Sequence, residues 1–312
     1  MKDSIDFLVI GAQKSGTTSL FKYLRRHPSL YLPPQKEVEF FINKNNFSKG
    51  LTWYIETYFS GADENKLWGE VCPAYMGFVA APANIHAYCP NIKLVAILRN
   101  PIDRTYSHYR MAVRRGAESQ PFRRAVEERR KHWVEAPEIK LTKSVDNAPF
   151  LIEFSCYGKT LERYLRYFER EQLLILFQED LLSAPEKLLA ELFSFLEVDG
   201  SYVPPNLNRR YHVGGERRWP WFEDWIRRRR LLKNLVKRAL ISKRNVAAIK
   251  LWFRMLNVRP VEDSGPSPEE RRYLKEVLEA DVALLKSLFS VEPPWPDFEE
   301  TEKREAAVSR EP

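Results

Sequence analysis

Short unbroken apolar runs recur through the first two hundred residues, and amphipathic segments follow them. Phe7–Gly11 is the first run, five residues closed by a glycine, and it predicts a strand buried on both faces. Behind it, Leu20, Tyr23 and Leu24 share one face of a helix predicted over Thr17–His27, with Arg25 and Arg26 near its end and Pro28 to stop it. Leu30–Leu32 is a short strand candidate and Lys93–Leu98 a longer one. Asn100-Pro101-Ile102-Asp103 then offers an N-cap, a proline at the first helical position and an early acid, for a helix through about Arg115. Tyr157-Gly158 opens another helix, with Leu161, Tyr164, Leu165 and Phe168 on one side. Leu173–Phe177 reads as a strand and Pro185–Leu196 as an amphipathic helix. Alternating strands and helices predict an α/β fold, a three-layer arrangement with a central parallel sheet.

Two stretches break the rhythm. Residues 132–149, with Pro137 and Pro149, read as a long loop or lid. Residues 203–220 hold Pro204, Pro205, Gly214 and Gly215 among arginines and read as a functional or connecting loop. A helix is predicted from about Trp221, continuing as a basic helical stretch to about Leu256. There Arg227–Arg230, Lys233, Lys237 and Arg238 alternate with Leu231, Leu232, Leu235 and Val236, as a solvated basic face would, or one that touches an anionic membrane or an acidic acceptor. The expected layout is one domain over residues 1–299, with the basic loop and helical C-terminal extension (203–260) inside it, and a frayed tail at 300–312.

Composition narrows the partners. With 312 residues, 44% hydrophobic and 13% aromatic, the chain can bury a large core. A net charge of +8 suits a polyanionic ligand, an acidic glycan or an anionic surface, but much of the excess lies in the basic stretch. No nucleic-acid module accompanies it, so nucleic acid is not an expected partner. Cys72, Cys89 and Cys156 are few, odd in number and widely spaced. They suggest buried thiols rather than a disulfide framework or a metal knuckle. With no apolar run near membrane-spanning length and no secretory pattern before the first strand, a cytoplasmic location is expected.

The candidate chemistry begins at residue 11. Gly11-Ala-Gln-Lys-Ser-Gly-Thr-Thr-Ser19 has the glycine spacing of a phosphate loop, G-x-x-x-x-G-K-[ST], but Thr17 stands where the lysine belongs and Lys14 has moved inside the loop. Backbone N–H groups at the helix start can cradle a phosphate, with Ser15, Gly16, Thr17, Thr18 and Ser19 around it and Lys14 as a mobile charge. A donor other than a magnesium-bound triphosphate is indicated. At the end of the Lys93–Leu98 strand, Arg99 offers a fork for a second phosphate and Ser107 a hydroxyl on the following helix.

Together with Lys36-Glu-Val-Glu-Phe-Phe41 and Arg99-Asn-Pro-x-x-Arg-x-Tyr-Ser107, these motifs resemble the sulfotransferases that use 3′-phosphoadenosine 5′-phosphosulfate (PAPS), especially the heparan sulfate type and its bacterial relatives. The likeness covers roughly the first 200 residues. It implies that Lys14–Ser19 hold the 5′-phosphosulfate, that Arg99 and Ser107 hold the 3′-phosphate, and that Glu37 is the general base. 3′,5′-ADP would be the product, and no metal would be needed. Tyr157 could line the nucleotide site; Arg209, Arg210 and Tyr211 loosely match the late basic loop. Such relatives often carry a lysine in an E-K-[ST]-P-x-Y segment, where this chain reads Glu70-Val71-Cys72-Pro73-Ala74-Tyr75, so another basic group must replace it or acceptor binding differs.

The residues fit the chemistry on their own terms. A lysine stabilises charge on a leaving oxygen, preorganised N–H groups stabilise the transferring group, and a carboxylate takes the acceptor proton. His108 is a second conceivable base. Glu39 could contact the acceptor or orient Lys36. Trp53, Tyr54 and Tyr58 read as packing aromatics. The acceptor could be a carbohydrate or a small molecule bearing a hydroxyl or amine. A nucleotide kinase on a similar sheet and a non-enzymatic nucleotide or membrane-surface binder are the competing readings.

Overall fold

The computed structural model describes residues 2–135, 150–207, 215–217, 258–260 and 265–299. Five strands form one parallel sheet: β1 (Phe7–Gly11), β2 (Leu30–Tyr31), β3 (Leu67–Val71), β4 (Lys93–Leu98) and β5 (Leu173–Phe177), in the order β2-β3-β1-β4-β5. β1 lies in the middle, with Phe7 opposite Gly69 on one side and Lys93 on the other. The strand at 67–71 was not foreseen, because its run is broken by Gly69 and Glu70. That glycine has a packing reason: a Cβ there would lie 2.2 Å from the Phe7 ring.

Alternate residues of β1 feed two apolar layers. Phe7 and Val9 pack with Leu20, Leu24, Leu189 and Phe193. Leu8 and Ile10 pack with Phe40, Tyr54, Tyr75, Ile102 and Leu278. The helices that supply these partners are α1 (Thr17–Leu24), α2 (Lys44–Phe47), α3 (Gly50–Tyr58), α4 (Ala81–Tyr88), α5 (Pro101–Arg115), α6 (Phe122–Glu135), α7 (Tyr157–Tyr164), α8 (Gln178–Ser183), α9 (Pro185–Phe195) and α10 (Pro268–Phe289). The expected phosphate-loop α/β architecture is therefore present.

Several boundaries differ from expectation. α1 ends at Leu24, short of His27, because Pro28 disfavours helical geometry at His27. The His27 ring is instead used locally, its Nδ1 accepting from Ser29 N at 3.2 Å. The predicted loop at 132–149 begins later, since α6 runs to Glu135; residues 136–149 lie outside the described residues. Within the predicted loop at 203–220, Gly215–Arg217 forms β6, antiparallel to β7 (Val258–Pro260). The helix predicted from Trp221 and the basic stretch at 227–238 fall outside the described residues.

Packing divides the chain into two compact units, Met1–Tyr211 with Gly265–Pro312, and His212–Ser264. Within the first, α10 returns along α7. Asp281 on α10 accepts the Gly158 and Lys159 amides at 2.8 and 2.9 Å and so caps the start of α7. Gly158 permits that approach, for a Cβ there would sit 2.4 Å from the Asp281 carbonyl oxygen.

Candidate active site

The carboxyl ends of β1, β3 and β4 meet at one edge of the sheet, and the predicted chemistry gathers there. The loop after β1 turns through left-handed conformations at Lys14 (φ 77°) and Gly16 (φ 90°) before α1 begins. Gly16 is the N-cap and supplies no side-chain acceptor, leaving the first N–H groups of α1 for a ligand. Thr17 is buried, while Thr18 and Ser19 are half-buried on the same first turn. Ser15 is fully buried, with its side chain directed at Tyr157, and the buried Gln13 Oε1 has no hydrogen-bond partner among the described residues.

Lys14 is half-buried, and its ammonium makes no hydrogen bond or ion pair among the described residues. Burial, then repulsion from Arg114, Arg99, Arg115 and Arg104, lowers its pKa from 10.5 to about 8. An ammonium held among guanidinium groups is electrostatically suited to an anion. Arg99, at the end of β4, likewise donates no side-chain hydrogen bond among the described residues.

The backbone around Arg99 is fixed from several directions. Its carbonyl accepts the Tyr157 hydroxyl at 3.0 Å, and Asn100 N donates to Glu179 Oε1 at 2.9 Å. Asn100 Oδ1 caps α5 through Ile102 N at 3.0 Å, as its sequence predicts. Tyr157 is 1% exposed and supports the Arg99 backbone through this bond. Arg104 is wholly buried and binds Ser155 Oγ, the Leu151 carbonyl and His108 Nδ1. Ser107 stands half-buried one turn further along the helix that this arginine secures.

His108 does not serve as a base in this arrangement. It is buried against Arg104, and burial followed by the arginine's charge holds its pKa well below the usual range.

Glu37 lies in the segment after β2. It is exposed, and its amide donates to the Val71 carbonyl at 3.1 Å, placing it at the end of β3. Glu37 and Glu39 both adopt left-handed conformations, φ 62° and 61°, at about 1–2 kcal/mol per non-glycine residue. Phe40 and Phe41 are fully buried and anchor the segment, with Phe40 stacked on Tyr54 at 4.4 Å between ring centroids. Lys36 Nζ contacts Glu37 Oε1. Val71 is 1% exposed and belongs to the layer shared with Phe7 and Val9, so position 71 offers the cleft nothing; Lys36 provides the neighbouring charge.

Glu70, not singled out from the sequence, is 1% exposed and binds Tyr54, Tyr75 and the Val38 amide. Burial raises its pKa to about 7 against the lowering effect of these donors. The available signal was a carboxylate inside a hydrophobic strand, beside a motif already noted. Arg209, Arg210 and Tyr211 lie outside the described residues.

Residues 4–209 match the sulfotransferase domain family. The chain belongs to that family. The resemblance drawn from the phosphate loop therefore holds. Over 205 residues the sequence is 34% identical to bifunctional heparan sulfate N-deacetylase/N-sulfotransferase 4 of Mus musculus, covering 63% of this chain and 22% of that protein. Heparan sulfate glucosamine 3-O-sulfotransferase 5 of Mus musculus is 29% identical over 206 residues, covering 65% of this chain and 54% of that one. The chain thus spans between about a fifth and about half of the length of these relatives. A solved sulfotransferase from Alicyclobacillus acidocaldarius shares the fold, with a TM-score of 0.62 and 20% identity over 93% of this chain and 97% of that one.

Proposed function

We propose that this sulfotransferase-family chain moves a sulfuryl group from PAPS directly to a hydroxyl or amine of a carbohydrate acceptor. The observation that carries the reading is the pair of cations beside an uncapped helix start: Lys14, whose ammonium makes no hydrogen bond or ion pair among the described residues, and Arg99, whose charge acts on Lys14 and on Glu179. A nucleotide with phosphate at two ends fits that arrangement. So does the buried Gln13 Oε1, which has no hydrogen-bond partner among the described residues. The relatives named for heparan sulfate support a glycan acceptor.

In this reading Lys14, Ser15, Gly16, Thr17, Thr18 and Ser19 hold the phosphosulfate end, and Arg99 with Ser107 the 3′-phosphate. The bound cofactor supplies an activated sulfuryl group and a phosphate leaving group. Lys14 places positive charge where the leaving oxygen gains negative charge, and the α1 amides stabilise the group in transfer. Glu37, exposed to the cleft, accepts the proton that the acceptor loses as it attacks. Lys36 sets a positive charge beside that carboxylate and takes the place of the lysine absent at position 71. Tyr157 and Asn100 hold the Arg99 backbone still. A reducing, cytoplasmic setting belongs to the same proposal, supported by three cysteines that are all unpaired and buried.

Calorimetry with 3′,5′-ADP, 5′-AMP and magnesium-ATP tests the cofactor. A preference for 3′,5′-ADP of at least tenfold over 5′-AMP is expected; tighter binding of magnesium-ATP would favour a kinase and overturn the reading. Transfer of labelled sulfuryl from PAPS to a panel of heparosan, N-deacetylated heparosan and simple phenols tests the acceptor. Labelling confined to the phenols would overturn the carbohydrate assignment.

A further inference from the structure

One heavily hydrogen-bonded carboxylate of the first unit takes no part in the reaction above. Glu70 sits next to the end of β3, and Val38 N donates to its Oε1 at 3.0 Å. The Glu39 amide is directed at the same carboxylate. Tyr54 Oη donates to Oε2 at 2.5 Å, and Tyr75 Oη reaches both oxygens, at 3.1 and 3.0 Å. These donors come from α3, from the turn after β3 and from the segment that bears Glu37.

The backbone donors are arranged around an unusual turn. Residues 37 and 39 are left-handed with Val38 between them, and Val38 is buried. Three successive amides point into the end of β3: that of Glu37 to the Val71 carbonyl, those of Val38 and Glu39 to Glu70. Consecutive amides converging on one anion form a nest. Here the anion belongs to the protein, and it compensates two side-chain-bearing residues for a conformation that L-residues avoid. The ionised carboxylate serves all four donors, with two oxygens and no hydrogen of its own. Glutamine would offer one oxygen and set an NH2 group against a donor. At 1% exposure Glu70 cannot itself receive a proton from an acceptor in the cleft.

We propose that Glu70 is a positioning residue for sulfuryl transfer: its buried carboxylate gathers the Val38 and Glu39 amides and so holds the turn that presents Glu37 to the acceptor. The proposal rests on Glu37 being the base. The tyrosines extend the brace, because Tyr54 also stacks on Phe40 and Tyr75 is held through its carbonyl by the Tyr164 hydroxyl at 2.8 Å. The base is thereby referred to the core of the sheet, although its own side chain is exposed.

Two measurements on Glu70→Gln test this. Hydrogen exchange should quicken by about tenfold or more in the peptide spanning residues 36–41, since opening that turn no longer breaks charge-assisted bonds. Exchange in residues 11–20 and the affinity for 3′,5′-ADP should stay within about twofold of wild type. Turnover with PAPS and the acceptor that labels in the panel should fall by about tenfold or more with little change in KM for PAPS, as expected for a misplaced base. In a double-mutant cycle with Glu37→Gln, the double variant should be no slower than Glu37→Gln alone. Unchanged exchange at 36–41, or losses that multiply in the double variant, would overturn the proposal. Weakened 3′,5′-ADP binding in parallel with turnover would also overturn it, by showing general damage. Near-normal turnover by Glu37→Gln would instead reject the base, and the exchange result would still decide whether Glu70 holds the turn. If Glu70→Gln does not fold, Glu70→Asp, which keeps the charge and shortens the reach, is expected to show the same pattern.

Discussion

The depressed titration of Lys14 makes cofactor binding depend on pH in a calculable way. Burial and the surrounding arginines place the free enzyme's Lys14 pKa at about 8. A bound polyanion stabilises the ammonium, returning its pKa towards the ordinary value near 10.5 or above. The complex then holds a proton that the free enzyme releases as pH rises through about 8. Affinity for 3′,5′-ADP is accordingly full below that pH and lost above it. With these two pKa values, linkage gives about a tenfold weakening between pH 7 and pH 9, and uptake of about 0.9 proton on binding at pH 9. The ligand's phosphates titrate near pH 6 and add little over that range. Calorimetry at pH 9 in two buffers of different ionisation enthalpy measures the uptake directly. Lys14→Met, similar in length and uncharged, should bind more weakly at pH 7 and take up almost no proton at pH 9. Flat affinity from pH 7 to 9, or equal uptake by the variant, would refute the placement of the anion at this lysine.

Other expectations follow from named contacts. Glu37→Gln should reduce turnover by about 10²–10⁴, the usual contribution of a positioned base, with 3′,5′-ADP affinity within about twofold of wild type by calorimetry. Lys36→Met, which removes the charge beside Glu37, should lower kcat/KM by about tenfold, in an assay that follows labelled product. Gly158→Ala should destabilise the fold by about 1–3 kcal/mol, read by urea unfolding, because its Cβ would meet the Asp281 carbonyl. Glu70 has a folded-state pKa raised from 4.5 to about 7, so the native state binds the extra proton between those values. Its contribution to stability therefore declines as pH rises from about 4.5 to 7, and Glu70→Gln should remove that part of the slope in unfolding measured across the window.

Local features were readable in the chain, and distant partnerships were not. The phosphate loop and the Asn100 cap are built from residues within a few positions, so spacing alone revealed both. The strand at 67–71 was hidden because Gly69 serves the Phe7 ring and Glu70 serves a turn more than thirty residues earlier. Val71 looked like a lost charge until strand parity placed its side chain in the apolar layer, away from the cleft. His108 and Tyr157 sit beside the right motif, yet both point inward, which helix position alone does not disclose. α10 went unremarked although Ser267 and Glu270 form a reciprocal cap at its start, a signal carried openly by the sequence.

The return of α10 has a bearing on how such a chain matures during synthesis. The phosphate loop precedes its later supports in the chain: Asn100 awaits Asp297, Asp103 awaits Arg271, and the start of α7 awaits Asp281. A nascent chain would have all five strands of the sheet synthesised well before these clasps arrive. Contacts spanning more than a hundred residues close slowly. Affinity for the nucleotide should therefore mature late, after the ribosome has released the segment around residue 297.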